Sequence, residues 1–544
     1  MKNSIKKLLK GLIKAVVPKP VLSNLWLKYR NFKHKQQTTT IRSLILSPEE
    51  QVQIDQATLP LRMTPDFLTL DWLTGRIREM GHVPIFFTIS AHGSIPSICV
   101  PAHQIVALGE TIIAIAAQYN LKLSYAHRET ILLASHYSEI MGALENNSVT
   151  ILELDSGAQS TRIRIEKWTV EDEVLIAPRA NPITRKIYLE AESAKRFIEA
   201  PGQDLRALYD TPLAHDCTFE IDVVYTWVNS HDAEWQEMLA ANKPTSSADG
   251  HEENDDREDT QEPDGDRYKN RDELKYSLRS LLKFAPWVRH IYIVSNCAPP
   301  SWFDPDNSNT TWVPHEDIIE EQNLPTFSSH AIESSIHRVP NLANHYIYFN
   351  DDVFLVKPME KSDFFTPGGL AKVRFENYGM VHGDVREGDP DYLNAARNGQ
   401  RLLKEKFGKI PTRLHTHSPF SIVKNAVEAC EASFPESYKQ TRARKFRTSA
   451  DISPTSFLFP HFAYLSGTAV DDSQSGIIIN SQGSFEKKFV NYSKQVLAGK
   501  TSNLPLSICI NDGGGSAAND TWNQAVIDFM ERTYTEASPA EKKL

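Results

Sequence analysis

Two carboxylates stand side by side at Asp351 and Asp352, at the end of the run His345–Phe349 (HYIYF). Aromatic and β-branched residues in such a run read as a buried strand, which stops at Asn350-Asp351-Asp352 before a hydrophobic segment resumes. Adjacent carboxylates at the end of an apolar strand are costly unless a cation takes up their charge. A divalent metal, or a metal with a diphosphate, at the carboxyl end of a sheet strand meets that cost. A turn that merely contains Asp-Asp is the plainer reading. A second junction has the same form: Leu504–Ile510 runs into Asn511-Asp512-Gly513-Gly514-Gly515, where glycines let the backbone approach a ligand. Polar residues also flank the strand predicted over Ile221–Thr226, from Asp222 to Asn229, and Asn296 ends the one predicted over Val288–Ser295.

Cations are available to face these strand ends. Arg271, Lys275 and Arg279 recur four apart, and Arg442, Arg444, Lys445 and Arg447 form the densest basic cluster beyond the amino-terminal segment. Arginine suits bidentate contact with phosphate, although a solvated helix face accounts equally well for the first set. Carboxylates holding a metal opposite Arg and Lys suit a nucleotide-diphosphate substrate. His330, Glu333 and His337 share roughly one helical face but are too few for a zinc site. His415 and His417 alternate, so an extended segment would point both the same way. Walker A, kinase, GxGxxG and GxSxG motifs are absent from the sequence, which argues against an ATPase, a kinase, a nicotinamide enzyme or a serine hydrolase.

The elements that must position these residues divide the 544-residue chain into two or three units. Residues 49–210 read as an accessory α/β region, with helical patterns at 65–80 and 103–118 and strands at 83–89 and 148–154. They carry no catalytic constellation. The main unit, 219–535, opens with strand Ile221–Thr226, a polar turn, and a helix over Ala233–Ala241 capped from Ser230-His231-Asp232. Strand, turn and helix in that order present ligands in α/β sheets. Within it, 242–270 is a flexible acidic insertion, either a lid or a solvated loop. A helix follows over Arg271–Phe284, burying Leu274, Leu278, Leu281 and Leu282. The stretch 371–418 reads as a long polar region, and the end of the chain, after a helix at 522–531, as a frayed tail.

Composition sets outer limits. A net charge of -10 and a pI near 6.0 argue against a general nucleic-acid binder. Residues 1–48 nevertheless hold eleven Lys and Arg and no acid. Residues 2–17 are amphipathic and basic, which fits a helix lying on an anionic membrane surface and fits equally a helix packed on its own domain. The apolar runs are too short for a membrane span, and the start is a poor signal peptide. Five scattered cysteines make neither a disulfide framework nor a CxxC pattern, pointing to a reducing compartment. The expected location is the cytoplasm, peripheral to the inner face of the inner membrane.

The strings DVVYTWVN (222–229), RDELKYSLRSLLKFAPWVRHIYIVSN (271–296), LPTFSSHAIESSIHRVPNLANHYIYFNDDVF (324–354) and LPLSICINDG (504–513) resemble the blocks that define the Stealth family. That family includes bacterial, meningococcal-type capsule polysaccharide hexosamine-1-phosphate transferases and the α/β subunit of the eukaryotic N-acetylglucosamine-1-phosphotransferase. The resemblance implies a glycosyltransferase-A-like (Rossmann-like) nucleotide-sugar core. It implies transfer of N-acetylhexosamine 1-phosphate from a UDP-N-acetylhexosamine to an acceptor sugar hydroxyl, with release of UMP and Mg²⁺ or Mn²⁺ bridging the diphosphate. Its partners would be the growing capsular polysaccharide and capsule export or assembly proteins. Carried over residue by residue, Asp351 and Asp352 would bind metal and diphosphate, with Asn511 and Asp512 completing the shell. Asp222, Asn229 and Asp232 would contact nucleotide or donor sugar near Asn296, and Arg279 would contact phosphate. His417 is the candidate base, with Asp272 or Asp232 as substitutes, and Arg447 would steady the transferring phosphate. The competing expectations are a conventional glycosyltransferase that releases UDP and a non-catalytic scaffold of capsule assembly.

Overall fold

The computed structural model describes residues 68–80, 85–89, 95–127, 130–132, 137–156, 160–243, 270–307, 309–474, 476–497, 504–511, 516 and 519–542. The basic segment 1–48, nearly all of the acidic insertion and Asp512 lie outside the described residues.

The first region is built on strands β1 (Phe87–Ile89), β2 (Ser97–Pro101), β3 (Lys122–His127), β4 (Thr130–Leu132), β5 (Val149–Asp155), β6 (Ser160–Glu171), β7 (Val174–Ile176) and β8 (Lys186–Tyr188). They form one sheet in the order β1-β2-β6-β5-β3-β4, with β7 and β8 running on from β6. Its pairings are antiparallel apart from β2 with β6. Strict alternation fixes β5, where Thr150, Leu152 and Leu154 point inward between half-buried neighbours. Phe87, Trp168, Leu175, Phe197 and Leu205 gather into a core of their own.

The second region contains β9 (Ile221–Thr226), β10 (Ile291–Val294), β11 (Thr310–Val313), β12 (His345–Asn350), β13 (Val353–Leu355), β14 (Ala371–Val373), β15 (Phe420–Val423), β16 (Ala469–Asp471), β17 (Ile477–Ile479) and β18 (Ser507–Ile510). The central sheet has the order β11-β10-β9-β12-β15. β9 to β12 are parallel, and β15 is antiparallel to β12. The chain moves outward from β9 through β10 to β11, then returns to the other side of β9 as β12. The order therefore reverses between β9 and β12, and a crevice opens at the carboxyl ends of such strands. β9 and β12 are near-continuous apolar runs because the sheet is covered on both faces.

Helix Glu273–Phe284 buries Leu274, Leu278 and Leu281 against this sheet, while Leu282 stays half-buried. A smaller sheet, β13-β18-β17, continues directly from the Asp351-Asp352 turn. Three expectations need correction. The polar stretch contains a helix, Asp391–Phe407. The single helical face expected to carry His330, Glu333 and His337 is broken, since the chain there forms helix Ser329–Glu333 and a 3₁₀ turn, Ile336–Arg338. The carboxyl tail is docked: Asp304 N–H donates to Ala540 O and Lys542 N–H to Trp302 O, each at 2.8 Å, and Ala540 is fully buried.

Candidate active site

The two acidic junctions meet. β13 and β18 are antiparallel with Val353 opposite Cys509, so the Asp351-Asp352 turn abuts the end of β18. Ile510 N–H donates to Asp352 O at 2.9 Å, and Asn511 N–H donates to Ile479 O at 2.9 Å. The Cys509 thiol donates to Asp352 Oδ2 at 3.2 Å. Both aspartates are half-buried.

Tyr348 on β12 forms the floor beside them. Its hydroxyl shares a 2.9 Å hydrogen bond with Thr226 Oγ1 at the end of β9, which ties the two strands across the switch point. Tyr348 also donates to Glu333 Oε1 at 3.5 Å, and Thr455 donates to Glu333 Oε2. Burial, then the charge of Glu333, and more weakly Asp351 and Asp352, push the Tyr348 phenol well above its ordinary value. One carboxylate thus bonds the buried phenol, and the charges of two more act on it, at the carboxyl edge of the sheet.

Basic groups approach from two loops. Arg447 donates from Nε (3.1 Å) and Nη2 (2.6 Å) to Ser329 Oγ, at the start of the short helix that carries Glu333. His417 lies in the loop before β15, whose Phe420 pairs with Tyr348, so this loop also stands at the carboxyl end of β12. The His417 side chain is exposed, yet desolvation by the surrounding chain lowers its imidazole pKa. His415 differs: it is buried, its Nδ1 lies 2.7 Å from Thr416 O, and burial brings its pKa down to about 3. The two histidines do not share a face, contrary to the alternation.

Asn229 and Asn296 come together at the β9–β10 edge around Cys297. Asn229 N–H donates to Cys297 Sγ at 3.2 Å, and Asn296 Oδ1 lies 3.9 Å from the same sulfur. Asp232 caps helix Ala233–Asn242, accepting from Trp235 N–H at 3.0 Å and from Ala298 N–H at 2.9 Å. Asp272 is exposed at the start of its helix and accepts from Trp302 Nε1 at 3.2 Å.

Two sequence-based assignments sit elsewhere. Asp222 lies at the amino end of β9, fully buried. It accepts from Arg289 Nε (2.8 Å) and Nη2 (2.6 Å) and from Ala343 N–H (2.7 Å). A carboxylate so engaged, at the edge away from the carboxyl ends, binds chain to chain. Arg279 donates to both oxygens of Glu541, at 2.8 and 2.6 Å, and to Tyr534 O at 3.0 Å. Its guanidinium faces the docked tail. Arg271 likewise donates to Glu273 Oε1 at 2.5 Å, and Lys275 lies 4.0 Å from Glu541. Arg442 is buried against Glu431, Ser334 and Ser335. The His330, Glu333 and His337 set is dispersed: His330 faces Asp451 at 3.5 Å and His337 faces Glu431 at 3.0 Å.

Among the described residues, no three His, Cys, Asp or Glu side chains stand close enough to hold a metal ion. Asp351, Asp352 and Asn511 bring hard oxygen donors to adjoining chain segments. That set fits a cation such as Mg²⁺, which takes one or two carboxylates and completes its shell with phosphate oxygens and water. Sequence reasoning missed Tyr348, Thr226, Thr455 and Cys509, and weighed Glu333 for a different task. None has a local signal: Thr226 and Tyr348 meet through the pairing of β9 with β12, Cys509 reaches Asp352 through that of β13 with β18, and Thr455 enters only through its bond to Glu333.

Three family models match the chain: Stealth protein conserved region 1 over residues 219–247, region 2 over 267–373 and region 3 over 416–464. The capsular polysaccharide phosphotransferase SacB of Neisseria meningitidis serogroup A is 34% identical over 525 residues, covering 94% of this chain and 93% of that protein. The exopolysaccharide phosphotransferase CpsY of Mycobacterium leprae is 33% identical over 390 residues, 70% of this chain and 68% of the relative. Among solved structures, the galactosyltransferase LgtC with donor and acceptor sugar analogs aligns at 10% identity and a TM-score of 0.27. That alignment covers 49% of this chain and 92% of the other. The long match to SacB spans both regions of the fold, and the three conserved regions contain Asn229, Asp351, Asp352, His417 and Arg447. The chain belongs to the Stealth family, among the bacterial capsular and exopolysaccharide phosphotransferases.

Proposed function

We propose that the protein is a capsule polymerase that transfers N-acetylhexosamine 1-phosphate from a UDP-N-acetylhexosamine to an acceptor saccharide hydroxyl. The supporting observation is the meeting of the Asp351-Asp352 turn with the end of β18 at the switch point between β9 and β12. In the reaction the acceptor oxygen bonds to the sugar-proximal phosphorus, and the bond from that phosphorus to the bridging oxygen breaks. UMP leaves with the bridging oxygen, and the anomeric C–O bond stays intact. The product is a phosphodiester-linked chain.

Asp351, Asp352 and Asn511, with Asp512 next in sequence, would hold Mg²⁺ or Mn²⁺. Such a cation, when bound, neutralises charge on the diphosphate oxygens. His417 takes the proton of the acceptor hydroxyl, since its depressed pKa keeps the imidazole neutral at neutral pH. Arg447, oriented by Ser329, stabilises the transferring phosphate. Glu333 is held by Tyr348 and Thr455 with its charge toward the same edge, and orients the acceptor against His417. Asn229 and Asn296 receive the uridine half of the donor. Asp232 and Asp272 receive no proton-transfer role: the first caps backbone amides, and the second is exposed at the start of its helix. In this reading 219–535 carries the chemistry, 49–210 supports it, and the basic segment 1–48 holds the protein to the inner face of the inner membrane. The acidic insertion 242–270 remains outside the chemistry.

The test is incubation of the purified protein with UDP-N-acetylglucosamine or UDP-N-acetylmannosamine, Mg²⁺ or Mn²⁺ and an oligosaccharide primer. UMP and a phosphodiester resonance in the ³¹P spectrum of the product are expected. Release of UDP would assign conventional glycosyl transfer instead. No nucleotide release with any UDP-N-acetylhexosamine would reject the enzyme reading.

A further inference from the structure

Segment 374–381 runs antiparallel to 412–416. Thr416 N–H donates to Arg374 O at 2.8 Å, Phe375 bridges to His415, and Glu376 N–H donates to Leu414 O at 2.8 Å. Met380 and Val381 both donate to Thr412 O, at 2.8 and 3.0 Å. The Gln400 side chain pins both segments by donating to Val381 O (3.0 Å) and Pro411 O (2.7 Å). This ribbon is firmly held, yet its outer side chains are bare. Tyr378, Met380 and Ile410 are 54%, 41% and 57% exposed. Of the twelve large apolar side chains exposed among the described residues, five fall within 378–410. Apolar side chains left bare on a firmly held framework are a feature of ligand-binding surfaces. At the end nearer His417, exposed Tyr464 meets the edge of the Phe375 ring. There the half-exposed Arg413 guanidinium lies 5.2 Å from the same ring and bonds Asp471 at 3.2 Å.

We propose that this ribbon is a binding track for an anionic saccharide chain whose growing end reaches His417. The proposal rests on the polymerase reading above and names where the polymer lies. Two stations of different chemistry suit such a chain. Arg413 pairs with a phosphodiester, and the apolar faces of the sugars rest on Tyr464, Tyr378, Met380 and Ile410. From Arg374, bonded to Thr416 next to His417, to Tyr378 is four residues, at most about 13 Å at ~3.3 Å per residue. An acceptor long enough to lie along this span gains contacts that short ones lack.

The test uses the full chain and its variants Tyr378→Ser/Ile410→Ser and Arg413→Gln, with circular dichroism confirming the fold. Affinity electrophoresis through gels containing a phosphodiester-linked N-acetylhexosamine polymer should retard the native protein. Each variant should bind several-fold more weakly, while UDP binding by calorimetry stays unchanged. Where turnover is measured, KM should fall with acceptor length in the native enzyme and lose that dependence in the variants. Unchanged retardation in both variants overturns the track. So does a dimer that the double variant dissociates while retardation persists, since that outcome assigns the surface to a second copy of the chain. Retardation lost in the variants of a protein that releases no UMP keeps the track and rejects the polymerase.

Discussion

The thiol of Cys509 is a test of how the acidic turn is set. It is buried and donates to Asp352 Oδ2 at 3.2 Å, one side chain behind the proposed metal position. A partner of this kind orients a ligand, and its loss typically costs roughly tenfold in metal affinity. Cys509→Ala should weaken Mn²⁺ binding by about that factor in electron paramagnetic resonance titrations, while Cys509→Ser keeps a donor and stays near the native value. Equal binding by both variants would remove the thiol from the site. Glu333→Gln keeps the shape of the side chain and removes its charge beside Tyr348 and Thr455. It should lower kcat by roughly a hundredfold or more with little change in donor KM, as expected of a group acting at the acceptor. At this scale the sequence was legible where the residue type is costly in its context. Asp351, Asp352 and Asn511 interrupt apolar strands and do meet. Asp222 and Arg279 are engaged within the chain instead, and a carboxylate or guanidinium serves a buried pair as readily as a ligand. Their partners, Arg289 and Glu541, have no signal of their own, and the second lies near the far end of the chain.

Helix Glu273–Phe284 shows how elements share such residues. Its apolar stripe is buried as its spacing predicts, but its cationic face is covered by the tail from Tyr534 to Lys542. The Arg279–Glu541 pair is largely buried, with side chains 14% and 7% exposed. Removing one partner of such a pair strands the other. Glu541→Ala should destabilise the protein by about 3 kcal/mol, read as a lower urea midpoint at unchanged slope. A midpoint within error of the native one would mean that the tail is only laid on the surface. Strands β9 and β12 were legible almost to the residue, because apolar runs between polar turns have little else to be. Helix Asp391–Phe407 was not. Its inner face includes Asn394, Ala395, Ala396, Arg397 and Gly399, so hydrophobic periodicity hardly marks it. The ladder of β13, β18 and β17 was hidden for another reason: it joins three strands of three or four residues from distant parts of the chain.

Across the whole molecule, buried imidazoles set the acid limit of the fold. Burial lowers His415 to about 3 and His315 and His461 to about 4, all below the 6.5 of a free imidazole. Between pH 6.5 and about 4 the unfolded chain therefore binds protons that the folded chain refuses, so stability falls as pH falls. Each group contributes at most about 1.4 kcal/mol per pH unit. Glu431 acts in the same direction lower down. Burial raises its carboxyl, but bonds from His337 and Arg442 outweigh that and hold it at about 2, so its contribution fades below pH 4.5. The buried phenols Tyr225, Tyr346 and Tyr348 are raised and remain protonated in the fold, which lowers stability above pH 10. Thermal midpoints should therefore be highest near neutrality and drop steeply from pH 6.5 to 5. His415→Asn should flatten the acid limb by up to one proton whatever it does to the midpoint. A flat limb in the native protein would show that these imidazoles are solvated. His417 has a shifted pKa of the same sign but is exposed in the site, so its protonation should lower kcat while the chain is still folded. Turnover measured well below the thermal midpoint should thus decline on acidification along a single-proton curve. His415→Asn leaves that curve in place and His417→Asn abolishes turnover at every pH, which separates the proton that stops the chemistry from those that unfold the chain.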